Sequence, residues 1–469
     1  MFFLIVFLIF LKFNYFISIN IYIKMPFRYL EIQPNSTPAS GKISHARGFP
    51  NITMTIGRQN ATLDMASIRV CGKINIWTDA AGTLHPVDGG TATNLTASAK
   101  LGIYGVMDQV VWRHAETKQV AEHIRHYSRL CGSLIPTMSS KQDSMGHLSE
   151  SALITNNHAS FKSSVIQNAG ASSFCVPIPC GMTLGGNNKV PLNSLPLDLE
   201  ISLAPDSAFF YSESATGSLA DLQDCFYELS DVRLMCEIYE PEPNEMASML
   251  PASGAFSFNS ITSYFTTLES TNSIVNFRLG LSKVLAAFVN FIPSSFVNNL
   301  AQDGSLTYMP AVAPSGAGDA AGGALANLSQ ISFLKNGMRF PAAFETETNY
   351  DLDSGTPSVD PQVIKSFLSS IVPEGEHVRT NICPQNSNRV YSINNNMADG
   401  YKVMPFGGAM WGVGVVYDML DSDGVDFSSE QFSIQMRNEL TDGNPNSAYL
   451  FVKSKNTIAW KDGMIQVVS

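Results

Sequence analysis

The sequence predicts an all-β chain built as two β-rich domains of similar size. Three observations carry that expectation. Segments with a period of two in hydrophobicity recur in both halves. Asp-Gly and Asn-Gly turns punctuate the second half, at Asn336-Gly337, Asp423-Gly424, Asp442-Gly443 and Asp462-Gly463. The pattern breaks once, near the middle of the 469 residues, at Tyr239–Gly254 (YEPEPNEMASMLPASG). Pro241 and Pro243 interrupt the sheet pattern there, Asn244 is the expected cap of a short helical turn, and Pro251 with Gly254 closes it. The expected division is an apolar leader over 1–24, an irregular arm over 25–46, a first domain over 47–243, a hinge over 244–256 and a second domain over 257–469.

The leader consists almost entirely of Phe, Ile, Leu, Asn, Tyr and Lys. It lacks the basic start and small-residue cleavage site of a signal peptide, and Lys12, Asn14 and Asn20 interrupt it as a membrane span. It is read as translated upstream sequence or a dispensable segment outside the mature protein, with Met25 as the working start.

In the first half, Ile68, Val70, Ile74 and Ile76 face one way in Ser67–Trp77, with Gly72 on the apolar face marking a bend or bulge. Leu195–Leu203 alternates apolar and polar positions, and Pro196 puts its start at a strand end. Val232–Tyr239 repeats the pattern. Glu116–Cys131 reads as an amphipathic helix with Val120, Ile124, Tyr127 and Cys131 on one stripe. His123 and His126 lie three apart on it. No third ligand sits at a motif spacing, so they are read as solvated or polar-packed. Residues 132–173 read as a long surface excursion.

In the second half, Ile274–Leu281 alternates, and Val284–Ile292 is nearly all apolar, as in a strand buried on both faces. Pro314–Ala326 is a low-complexity loop without the GxGxxG spacing of a dinucleotide site. Asp360 and Pro361 open an expected helix with Val363, Ile364, Phe367, Leu368 and Ile371 on its apolar face. Strands are expected at Trp411–Tyr417, Phe432–Met436, Tyr449–Val452 and Ile458–Trp460.

No nucleotide loop, nucleophile elbow, zincin motif or EF-hand is present in the sequence. Asp418, Asp421, Asp423 and Asp426 cluster around a turn without the order or terminal Glu of a calcium loop, and are read as a polar turn. The seven cysteines include no CxxC pair and suit a reducing compartment during folding. Five sequons, at Asn35, Asn51, Asn60, Asn94 and Asn327, are weak evidence for secretion in a chain rich in Asn, Ser and Thr. A net charge of −11 without any basic run argues against coating nucleic acid. A charged fraction of 15% is low for a soluble monomer and points to surface buried against other copies. No catalytic, cofactor-binding or metal-ligating residue is selected, and no cofactor or enzymatic activity is expected.

The order of these elements resembles a known family. LDMASIRVCGKINIW, GVMDQVVWRHAETKQVAEHIRHYSRL, NSLPLDLEISLAPDSAFF and LSDVRLMCEIYEP in the first half are similar to the elements of a jelly roll. SIVNFRLGLSKVLAAFVNFIP, FLKNGMRFP, DPQVIKSFLSSI and FGGAMWGVGVVYDMLDSDGVDFSSEQFSIQM are similar to those of a second. The pattern resembles the double jelly-roll major capsid proteins of eukaryotic DNA viruses, of the polinton-like virus and virophage type. The resemblance implies two tandem eight-stranded jelly-roll β-sandwiches with short helices in their connections. It implies a major capsid protein whose pseudo-hexagonal homotrimers tile an icosahedral virion shell, assembled in the host cell. Its implied partners are further copies of itself, with penton and minor capsid proteins. Loops at 132–173 and 305–330 would then form the outward turret. The alternatives are a two-domain β-sandwich that binds carbohydrate or attaches to a host, and a β-sandwich hydrolase whose carboxylates the sequence does not single out.

Overall fold

The computed structural model describes residues 27–80, 83–86, 95–97, 101–138, 151–154, 172–184, 189–212, 224–268, 272–294, 297–298, 328–341, 346–347, 369–371, 413–417, 424–438, 446–461 and 464–468. The leader 1–24, the Asp360–Leu368 part of the expected helix, the glycine-rich loop, Asp418, Asp421, Asp423 and the last two Asp-Gly turns lie outside them.

The first group of strands is β1 (Phe27–Ile32), β2 (Lys42–Ile43), β3 (Asn51–Ile56), β4 (Thr62–Ala80), β5 (Thr83–Pro86), β6 (Leu95–Ala97), β7 (Met107–His114), β8 (Val120–Ile124), β9 (Ser172–Pro177), β10 (Lys189–Pro191), β11 (Leu197–Leu203), β12 (Phe210–Ser212) and β13 (Cys225–Tyr239). They form a seven-stranded sheet along β1-β13-β4-β10, with β2, β5 and β9 attached. A four-stranded sheet β3-β11-β7-β8 and the pair β12-β6 complete the group.

The second group is β14 (Ser253–Leu268), β15 (Asn272–Phe277), β16 (Val284–Pro293), β17 (Leu328–Lys335), β18 (Met338–Arg339), β19 (Thr346–Glu347), β20 (Val413–Val416), β21 (Phe432–Asn438), β22 (Asn446–Lys461) and β23 (Met464–Val468). One five-stranded sheet runs β14-β22-β16-β20 with β23 on β22. The other runs β15-β21-β17-β18 with β19 on β17. Among the described residues no ladder joins the two groups.

Alternation explains the strands. In β4 Val70, Ile74 and Ile76 are buried while Arg69 and Lys73 are exposed. Gly72 sits on the buried face because Phe174 fills its place: a Cβ there would lie 2.8 Å from the Phe174 ring. The expected irregularity falls on the partner strand, where the β13 register shifts between Ser230 and Arg233 opposite this glycine and Asp231 adopts a positive φ of 52°. β16 is buried along Val284–Val289, as its continuous apolar run requires. Asn336 and Gly337, with φ of 50° and 79°, turn β17 into β18.

Large rings fill the cores: Tyr104, Trp112, Tyr127 and Tyr227 in the first group, Phe288, Phe333, Tyr417 and Phe427 in the second. The buried tyrosines satisfy their hydroxyls on backbone carbonyls, Tyr104 on Pro177 at 3.0 Å and Tyr127 on Pro179 at 3.1 Å.

Five expectations are corrected. Glu116–Cys131 is not a helix. It is a turn, the strand β8, and the start of a helix that runs Tyr127–Met138. Pairing of Val120–Ile124 with Val110–Arg113 overrides the helical stripe, and His126 at φ 54° breaks strand from helix. The arm 25–46 is not irregular throughout, since β1 pairs with β13 from Phe27↔Tyr239 to Ile32↔Leu234 and β2 also joins β13. Tyr449–Val452 and Ile458–Trp460 are parts of one strand, β22, because β14 pairs with it without a break over sixteen residues. The helical turn in the hinge covers Met246–Met249, with Glu245 rather than Asn244 at its N-cap position. The excursion 132–173 begins as helix to Met138, has Ser151 and Ala152 helical, and ends in β9; the 305–330 loop gives way to β17 at Leu328.

Candidate functional site: the joint between the two sandwiches

Among the described residues, the most elaborate polar constellation is the seam where the two strand groups meet. β8 ends the four-stranded sheet of the first group, and β14 ends a five-stranded sheet of the second. These two edges pack against each other. An open edge presents unpaired N–H and C=O groups, and here side chains satisfy some of them. Glu122, on β8, is buried. Its Oε1 accepts the Ile261 N–H of β14 at 2.7 Å and the Gly181 N–H at 2.9 Å, and its Oε2 accepts the Met182 N–H at 3.1 Å. Burial raises its pKa to about 7, while the three backbone N–H groups pull it down.

Gly181 opens the four-residue helix Gly181–Leu184. A Cβ at this position would lie 2.1 Å from the Asn259 carbonyl oxygen and 2.7 Å from Glu122 Oε1. Only glycine lets the backbone come this close.

Further contacts extend the seam. The Arg125 N–H donates to Ser263 Oγ at 2.8 Å. His126 packs on Phe265 and Tyr449, with ring centroids 5.5 and 5.0 Å apart. The Arg129 guanidinium lies 5.5 Å from the Tyr449 ring centroid. Asn290 Nδ2 donates to Ser133 Oγ at 2.5 Å. Burial lowers the pKa of His126, opposed by Asp108 and aided by Arg129 and Arg125.

The hinge is fastened to both sides. Asn193 Nδ2 donates to the Leu250 carbonyl at 3.3 Å. The Pro251 carbonyl accepts Ser194 Oγ at 3.2 Å from the first group and Trp460 Nε1 at 3.1 Å from the second. Gly254 lies under Trp460, where a Cβ would come 2.6 Å from Cζ2. Inside the hinge, Glu245 Oε2 accepts Tyr239 Oη at 2.6 Å and the Glu242 N–H at 3.3 Å. The buried side chains of both groups form one continuous cluster.

His123 and His126 therefore do not form a helical pair. His123 Nε2 meets Gln109 Oε1 at 3.1 Å, whereas His126 belongs to the seam. Asp426 accepts the Ser428 N–H at 2.8 Å in a local turn. Sequence reasoning did not single out Glu122 or Gly181, and it read His126 as solvated or polar-packed. The available signal was a glutamate on a short strand whose neighbours Ala121 and Ile124 are buried.

The seam, the antiparallel sheets and the two-fold repetition define a double jelly roll. The chain has the fold of viral major capsid proteins. A chain of the PBCV-1 virus capsid superposes with a TM-score of 0.54 at 13% identity, over 95% of this chain and 97% of that one. The Faustovirus major capsid protein gives 0.54 at 8% identity, over 92% and 90%. A chain of the Sputnik virophage gives 0.53 at 10% identity, over 94% and 88%. No protein-family model and no curated protein matches the sequence.

Proposed function

We propose that this chain is a major capsid protein, the structural subunit of a virion shell, and not an enzyme. The strands of its first jelly roll lie within 27–239 and those of its second within 253–468, and 240–252 is the joint between them. The observation that carries this reading is the likeness to viral capsid chains across more than nine-tenths of the sequence. The seam supports it. Glu122, Gly181 and the Pro251 carbonyl fix one roll against the other, so that a single subunit offers two near-equivalent lobes in constant relative orientation. Three such subunits give six lobes and a pseudo-hexagonal outline, a shape that tiles an icosahedral surface with neighbouring copies. The partners are further copies of the chain, with penton and minor capsid proteins at special positions. The acidic net charge suits a shell that leaves genome condensation to other components.

Light scattering on the full-length protein tests this reading. A species of three times the chain mass that associates further as concentration rises is expected. A monomer that persists at all concentrations overturns it.

A further inference from the structure

Three sulfur atoms meet on the outward face of the large sheet of the first roll. Cys71 of β4 stands directly opposite Cys175 of β9 in the antiparallel ladder. The Cys71 thiol donates to Met235 Sδ on β13 at 3.5 Å, and Cys175 stands close enough to raise the Cys71 pKa. Both cysteines are free thiols. Their flanking residues Val70 and Val176 point the other way, into the core. Beside the pair lies a cavity of about 470 Å³ lined by Cys71, Lys73, Cys175, Asp231, Arg233 and Met235. Directly opposed residues of an antiparallel pair have Cα atoms about 4.5–5.5 Å apart, within the roughly 4.4–6.8 Å that a disulfide spans.

We propose that Cys71 and Cys175 are a disulfide-forming pair, closed by exchange with a small-molecule disulfide that enters this cavity, and that the bond staples β9 to β4. Cys175 is the more exposed thiol and reacts first. Its thiolate attacks one sulfur of the small disulfide RSSR, forming Cys175–S–S–R and expelling RS⁻, which takes up the proton Cys175 gave up. Cys71 then loses its proton and attacks Cys175 Sγ. The bond to the small thiol breaks and a second RSH leaves. Two protein thiols are oxidised and one small disulfide is reduced to two thiols.

Burial pushes the Cys71 thiol up to about 12, with Cys175 reinforcing the shift and Arg233 and Arg69 opposing it. The second step is therefore the slow one, and in a reducing compartment the surrounding small thiols keep the pair open. It closes once the protein reaches oxidising surroundings. Because the bond ties residues far apart in sequence, it restricts the unfolded chain strongly.

The test is to equilibrate the full-length protein with oxidised glutathione and analyse unreduced peptides by mass spectrometry. The expected product links the Cys71 and Cys175 peptides, is two hydrogens lighter than the unlinked pair, and raises Tm by about 5 °C. Cys71→Ser and Cys175→Ser each remove the link, whereas Cys236→Ser, on the inner face, retains it. If both thiols stay open to alkylation, if glutathione stays on Cys175 without resolution, or if the link joins other cysteines, the proposal is overturned. The wild-type peptide map decides the matter even if a serine variant fails to fold.

Discussion

The carboxylate of Glu122 in the first roll accepts the backbone N–H of Ile261 in the second at 2.7 Å, out of contact with water. The same group takes the N–H groups of Gly181 and Met182. One side chain thus does for two facing sheet edges what a ladder does inside a sheet. Truncation by Glu122→Ala leaves three buried donors without their acceptor, and a loss of about 3 kcal/mol is expected by denaturant unfolding.

The same residue makes the seam sensitive to pH. Its pKa is raised to about 7 in the folded chain, against about 4.3 for a free glutamate. Between these values the folded state holds more protons than the unfolded state. The contribution of Glu122 is therefore fully present below the unfolded pKa and is lost as pH rises through about 7. Relative to Glu122→Gln, which does not titrate, the wild type should lose up to about 3 kcal/mol between pH 4 and pH 8. A constant difference between the two across that range would contradict the assignment.

Gly181→Ala tests the closeness of approach. The added methyl meets the Asn259 carbonyl, a backbone group with no freedom to swing away. A destabilisation of about 2–3 kcal/mol is expected. Gly57→Ala is the control, since nothing lies within 4 Å of its Cβ position, and it should change stability by less than about 0.5 kcal/mol.

Much of this fold could be read from single strands. β4, β11 and β16 announce themselves because burial on one or both faces writes a period of two, or an unbroken apolar run, into the sequence. The Asn336-Gly337 turn is equally legible because its backbone needs two positive φ values. The seam was harder to read. Val120, Ile124, Tyr127 and Cys131 have helical spacing, yet Ile124 is buried from a strand and Cys131 from a helix. What decides between them is pairing with Val110–Arg113, which no local pattern encodes. β1 was missed for the same reason: its partner β13 lies about two hundred residues away. Glu122 looks like any polar strand residue until the second roll closes over it.

The hinge can be separated from the seam. Trp460→Phe removes the donor to the Pro251 carbonyl and should cost about 1 kcal/mol. A Gly/Ser insert between Ala252 and Ser253 should leave each roll folded, by circular dichroism, but reduce the yield of assembled particles. Adding Glu122→Ala to the insert should reduce it further. Wild-type yield from the insert alone would mean that the β8–β14 contact sets the geometry without the hinge.

Removing residues 1–32 tests the role of β1. Leu30 and Ile32 pack against the core, and the backbone of β1 covers an edge of β13. The Arg28–Glu240 and Arg233–Glu31 ion pairs are exposed and add little. The truncated chain should melt several degrees lower and aggregate more readily through the bared edge, read by thermal scattering. Unchanged melting would show that β13 tolerates exposure.

On this proposal two rolls, locked by one seam, make one third of a six-lobed block. Electron microscopy of the purified full-length protein tests it most directly. Class averages with three-fold symmetry and a hexagonal outline are expected. Single two-lobed particles at every concentration would contradict the account.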